Sequence, residues 1–442
     1  MSTTNIQNFP GDVQIRGTTF IKANTATDNL AIGSNAGLNQ QGASAVAIGK
    51  QAGSADQGAN AVAVGYIAGQ TSQATGAVAV GAGAGSNAQG ADAVAIGYIA
   101  GLASQGSSAV AIGRAAGSNA QAGFAVAMGY LAGQVSQAAN AVAVGNSAGK
   151  TSQGSTATAI GKEAGLNQQG VNAVAIGHLA GCADQGVQAI AIGASAGLNA
   201  QEDNSIAIGV FAGSADQGTQ SVAVGNSAGK VSQGIQSVAV GYLAGYTGQG
   251  ASSVAIGEAA GCVGQNNYSI AMGYRSGMTA QGTYAVAIGS SAAYNDQGTK
   301  TVAVGQGAGY NAQGDSSVAI GDEAGFNAQG QYSVAIGIDT ARVSQGSSSV
   351  AVGYLAGNNV QGSSSVAIGT QAGKTDQGTN AVAIGNASAQ TSQGNYATAV
   401  GEQSGLNAQG TYATAVGYLA GSASQGISSV AMGHYAGRDD QG

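Results

Sequence analysis

Few residues in this chain can do chemistry, and their spacing decides how much of it they do. Two His, two Cys and 19 carboxylates stand among 442 residues. His178 and His434 are 256 residues apart, and Cys182 and Cys262 are 80 apart. GAGAG at 81–85 has the letters of a dinucleotide loop without its G-x-G-x-x-G spacing or a following helix. AGKT at 148–151 and 372–375 ends like a phosphate loop. That loop has four residues between its glycines, whereas Gly145/Gly149 and Gly369/Gly373 enclose three. Asp56, Asp184, Asp216, Asp296 and Asp376 share one register but never fall in neighbouring repeats, so no carboxylate cage forms. No Ser-His-Asp or Cys-His arrangement is supported. The sequence reads as non-enzymatic, with no catalytic residue, cofactor or metal site.

The elements that carry these residues repeat. Counting from the first residue of the AVAIG block, units start at Asn29, Ala45 and every sixteenth residue to Ser429, giving 26 units without insertion or deletion. Position 3 is always Ala, position 5 always Gly and position 13 always Gln. Position 2 is Val, Ile, Leu or Thr; position 4 is Ile, Val or Met. Positions 6, 7, 10, 11, 12, 15 and 16 vary. A fixed short period is the mark of a solenoid in which each unit stacks on the next. The two His and the two Cys then sit on coils too distant to share a metal or a disulfide within one chain.

Alternation with Val and Ile predicts a strand at the AVAIG block. Gly at 5, 9 and 14 predicts corners at φ > 0. Each unit therefore reads as one coil of two strands, and 26 coils at ~4.8 Å give a rod of ~125 Å. Residues 1–28, with GDVQIRGTTFIKA at 11–23 as a short strand pair, read as a cap or attachment segment before the 29–442 solenoid. Alternation sends positions 2 and 4 to one face and positions 1 and 3 to the other. Hydrophobicity assigns Val and Ile to the coil interior. Invariant Ala on the outer face then implies a neighbouring chain pressed close, hence lateral oligomerisation. The Gln at position 13, such as Gln41, Gln57, Gln105, Gln217, Gln313 and Gln441, stack as an amide ladder.

Composition narrows the partners. Net charge is −7 and only 7% of residues are charged, which argues against nucleic acid and anionic membranes. No run approaches the ~20 apolar residues of a membrane helix. MSTTNIQNFPGDVQIRG shows no signal peptide. Variable positions are where recognition would be written. Tyr66, Tyr98, Tyr130, Tyr242, Tyr354 and Tyr418 recur at position 6 and form a candidate contact surface. Tyr294, Tyr310 and Phe326 at position 10, and Tyr268/Tyr284 and Tyr396/Tyr412 at position 16, fall in successive coils.

SVAIG (365–369), AVAIG (45–49) and SVAVG (221–225), each followed by Ala, resemble the head repeats of trimeric autotransporter adhesins of the YadA type. The resemblance implies left-handed parallel β-rolls, three chains side by side, that bind host surface molecules. The period here is sixteen rather than about fourteen, and the QG pair at 13–14 is outside the usual motif. Long arrays behind a short polar N-terminus also resemble fibre proteins of large viruses and phages.

The expected protein is an all-β parallel solenoid, a homotrimeric structural fibre or adhesin on a virion or cell surface, with a surface receptor and end-to-end or lateral assembly as its contacts. Two alternatives are a self-assembling extracellular filament and an ice-binding or ice-nucleating solenoid, whose known bacterial examples also repeat every sixteen residues. Ice binding calls for regular Thr rows, but positions 10–12 read LNQ, SAD, QTS, SNA and LAS in the first five coils. A fibre predicts no thermal hysteresis in a freezing assay; a clear positive overturns it.

Overall fold

The structure, a computed structural model, describes residues 13–15, 18–24 and 27–439. The chain forms two compact units, one ending at Thr219 and one starting at Gln220. Each is a parallel β-solenoid with one coil per sixteen residues, and the described residues contain no helix. Of the cap segment predicted at the start, 1–12, 16–17 and 25–26 lie outside the described residues.

In the first unit, β1 (Val13–Ile15) pairs antiparallel with β2 (Thr18–Asn24). β2 in turn runs antiparallel along β3 (Asn29–Ile32), with Ile21 opposite Ile32 and Asn24 opposite Asn29. β2 thus covers the open edge of the first coil, which would otherwise present unpaired backbone groups. After β3 each coil contributes a three-residue strand at positions 2–4 and, apart from 263–265 and 423–425, where only isolated bridges form, each described coil contributes another at 11–13. In the coil at 93–108 these are Val94–Ile96 and Ala103–Gln105. Pairing is in strict register: Val94 to Val110, Ala95 to Ala111, Gln105 to Gln121.

The coil is inside out relative to the sequence expectation. Ala93 and Ala95 are fully buried, while Val94 is half-exposed and Ile96 is 39% exposed. Positions 1 and 3 line the interior, and positions 2 and 4 face outward. The reason is width. A Cβ added at Gly101 would stand 2.7 Å from Gln105 Oε1 and 3.2 Å from the Ala95 Cβ. The two strands are so close that methyl groups, one glycine and one amide fill the interior. The neighbour that keeps position 3 as Ala is therefore the same chain's own second strand. In the second unit position 3 joins position 8 in a continuous alanine cluster, Ala287, Ala292, Ala303 and Ala308 among them. Ser at position 1 fits because its hydroxyl finds a corner carbonyl: Ser237 donates to Gly234 O at 2.6 Å and Ser253 to Gly250 O at 2.5 Å.

The corners also differ from expectation. Gly97 (φ 128°) and Gly101 (φ 51°) do take positive φ, but position 14 does not. Its glycine answers to proximity, since a Cβ at Gly90 would lie 2.5 Å from Ser107 N in the next coil, although Ala74, Ala122, Ala138, Glu202 and Asn266 stand at the same position in other coils. The remaining left-handed residues are at variable positions 7, 12 and 16, such as Ile99, Ser104 and Ser108 at φ 50°, 55° and 56°. A β-branched residue there is strained. Inter-coil hydrogen bonds hold the conformation: Ile99 N donates to Ala82 O and Ser108 N to Ala91 O, at 2.9 and 2.8 Å.

Position 5 unites both constraints, because a Cβ on Gly97 would sit 2.6 Å from Gly113 O as well as at φ 128°. Gly97→Ala is expected to cost several kcal/mol of stability, read as a lower denaturant midpoint. Gly248→Ala, at φ 66° with no atom within 4 Å, is expected to cost about 1 kcal/mol. Equal losses in the two unfolding curves would contradict the close-approach explanation.

Candidate interaction surfaces

The amide row runs through the interior. Gln105 Nε2 donates to Val94 O at 2.9 Å, Ala109 O at 3.3 Å and Gln121 Oε1 at 3.1 Å. Two hydrogens serve three acceptors, so the amide clamps the two strands first and its stacked neighbour second. Gln-to-Gln bonds continue unbroken from Gln105 to Gln201. Gln41 likewise donates to Gln57, and Gln313 accepts from Gln297. Further runs join Gln233 to Gln265, Gln329 to Gln361 and Gln377 to Gln425, and between the runs the row breaks. Gln57 and Gln89 give their hydrogens to carbonyls, and the buried Oε1 of Gln73 and Gln105 are left without partners. Gln217 donates to Ile206 O, and its Oε1 is also without a partner. Gln441 lies outside the described residues.

The corner after the first strand carries the position 6 tyrosines. Tyr66, Tyr98, Tyr130, Tyr242, Tyr354 and Tyr418 are all exposed. In the first unit Arg114 stands between Tyr98 and Tyr130, its guanidinium 5.7 Å from each ring centroid. Tyr66 lies two coils before Tyr98 and makes no such stack. In the second unit Tyr242 and Tyr354 are seven coils apart. Tyr418 stacks on His434 at 5.3 Å, and the charge of neighbouring Tyr435 is the first cause pushing its phenol up.

Other aromatics stack along the coil axis. Tyr294, Tyr310 and Phe326 have centroids 4.9 and 4.7 Å apart, and Arg342 caps the pile 5.3 Å from Phe326. Arg342 also bonds Glu323 at 2.5 Å and Asp339 at 3.3 Å. Burial, then the Glu323 charge, push the Asp339 carboxyl up against the lowering pull of Arg342. Tyr268/Tyr284 and Tyr396/Tyr412 stack at 5.0 Å. Rings in these piles cover one another's faces, so the piles bind coil to coil rather than offering flat platforms. Cys182 and Cys262 are free thiols, both pushed up chiefly by burial. Among the described residues no group of three or more His, Cys, Asp or Glu could hold a metal ion.

The surface that sequence reasoning missed is the apolar stripe made by positions 2 and 4. In the first unit Ile160, Ile176, Ile192 and Ile208 are 36–40% exposed in four successive coils, each beside a half-exposed residue at position 2. Ile320, Ile336, Ile368 and Ile384 repeat this in the second unit at 37–38%. A contiguous exposed apolar stripe marks an interaction surface. The signal was present as alternation; its direction required the coil's width.

The YadA head domain repeat, in a two-copy family model, matches residues 185–212, 200–228, 265–292 and 297–324. The chain carries YadA-type head repeats. Each match to the YadA head pair spans 28 or 29 residues, where two coils here take 32. The YadA head is a module of non-enzymatic surface adhesins. A search of curated proteins found no match.

The amide clamp is testable apart from any partner. Gln137 bonds Val126 O at 2.8 Å and Ala141 O at 3.3 Å, donates to Gln153 Oε1 at 3.0 Å and accepts from Gln121 at 3.0 Å. Gln137→Met keeps the volume but orphans these groups. Stability is expected to fall by about 1–3 kcal/mol for each group left unpaired, read as an earlier thermal transition; an unchanged transition would show that the amide only fills space.

Proposed function

We propose that copies of this chain associate side by side through the outward Val/Ile stripe into a homotrimeric, adhesive fibre displayed on a cell or virion surface. The stripe carries this reading. Two β-branched or similarly large apolar side chains per coil face solvent in both units, while alanine fills the interior. Burying such a stripe stabilises by roughly 25 cal/mol per Å², and a YadA-type repeat supports three copies as the number. Oligomerisation thus rests on the face of the strand opposite to the alanine face that the sequence suggested. Corners and second strands stay outside such an assembly, so receptor contact falls to the variable positions, the exposed tyrosines among them.

Light scattering of the purified chain is expected to give three times its 42.0 kDa mass. Ile160→Lys, Ile176→Lys and Ile192→Lys together place charges on three successive coils of the stripe and are expected to release monomers with unchanged far-UV circular dichroism. A wild-type monomer at micromolar concentration would overturn the reading.

A further inference from the structure

Rings pile at a fixed spacing along each solenoid. Tyr268/Tyr284, Tyr294/Tyr310, Tyr310/Phe326 and Tyr396/Tyr412 fall in successive coils, and their nearly parallel rings have centroids 4.7–5.0 Å apart. That is one coil rise. Two rings set two coils apart therefore leave room for one flat group between them. Two such gaps are filled. Tyr310 stands between Tyr294 and Phe326. Arg114 stands between Tyr98 and Tyr130, its guanidinium 5.7 Å from each centroid.

A third gap holds no side chain of its own coil. Tyr66 and Tyr98 stand at position 6 two coils apart, ~10 Å along the axis, and the coil between them supplies only Ala82 and Gly83 to that corner. Tyr98 gives one ring face to Arg114, so its other face turns toward Ala82. Tyr66 is 51% exposed, and Tyr98 is 55% exposed even with Arg114 over it. The base of the gap is apolar. A Cβ on Gly83 would lie 3.1 Å from Ile99 Cγ2 and 3.8 Å from Leu102 Cδ1, so these side chains close over the glycine. The result is a slot with two phenol walls, a methyl floor and an open top.

Charge decides which flat group suits it. Lys50 lies one coil beyond Tyr66, and Arg114 one coil beyond Tyr98. Both are exposed and form no ion pair among the described residues. A second guanidinium in the slot would stand ~10 Å from each cation, about one Debye length at 0.1 M salt, and be repelled by both. An uncharged ring with carboxylates beside it meets the same two cations favourably. A nucleic-acid strand asks for a continuous basic track, but Arg114 is the one cation at position 6 between Lys50 and Lys162.

We propose that the slot between Tyr66 and Tyr98 takes an aromatic side chain from an acidic segment of a partner protein, whose neighbouring carboxylates pair with Lys50 and Arg114. This rests on the corners lying outside the side-by-side assembly and adds the chemistry of the receptor. Saturation-transfer NMR on the full-length protein at low salt would use three probes: the blocked peptides Asp-Tyr-Asp and Gly-Tyr-Gly, and uridine monophosphate. Asp-Tyr-Asp is expected to receive saturation at its ring protons and to bind at least about threefold tighter than Gly-Tyr-Gly. Tyr66→Ala is expected to weaken it about fivefold, through loss of one stacking face. Ala82→Tyr completes the pile from within, and is expected to abolish peptide binding while the thermal transition stays unchanged or rises. A folded Ala82→Tyr protein that binds as the wild type does would overturn the slot. So would a wild type that transfers no saturation to the tyrosine ring. Tighter binding of uridine monophosphate would overturn the protein partner. A monomeric wild type would overturn the fibre but not the slot, which lies within one chain.

Discussion

The fold depends on how close the two strands of a coil come to each other. Ala at position 3, Gly at position 9 (Ala in three coils, at Ala293, Ala341 and Ala389) and the amide of the Gln at position 13 meet across the interior, and nothing larger than Ala stands at position 3 or 9. Everything else in the cross-section follows from that spacing. The strand cannot turn Val or Ile inward, so it turns them out, and the only long side chain inside must be flat and polar at its tip. That tip satisfies carbonyls on the opposite strand, which is why the interior tolerates an amide where alanine would leave a void.

A second spacing acts along the axis. Backbones of neighbouring coils approach so closely at position 5 that a methyl group has no room. Three other turns per coil use the left-handed region with ordinary side chains, each such N–H being captured by the coil before it, as at Ile99 and Ser108. Specificity of shape therefore lies in the backbone, and the side chains at positions 6, 7, 10, 12 and 16 are free to vary. This freedom is what lets charge and aromatic residues be arranged by corner without altering the coil.

The period, the two strands, the inward Gln and the piled aromatics were legible in the sequence because each depends only on register. Sixteen residues separate Tyr294 from Tyr310, and stacking follows from that number alone. Which face of the strand is inside was not legible. Alternation defines two faces, and the hydrophobic rule assigned Val94 and Ile96 to the core; the volume available inside overruled it. Gly106 and its equivalents were read as left-handed corners because glycine signals both freedom and absence of a side chain, and only the neighbouring coil shows which is in use. The candidate surface moved accordingly, from Ala95 to the Ile96 side of the same strand.

The interrupted amide row has a mechanical consequence. Where a Gln gives both hydrogens to carbonyls, the next coil is held by backbone bonds and packing alone, with a bare Oε1 on its side. Such planes fall before Gln73 and before Gln105, whereas seven successive coils from Gln105 to Gln201 share a continuous chain of amides. Under tension or fraying, the first unit then behaves as a stiff segment joined to softer segments at defined seams. A load strips coils in blocks rather than one at a time.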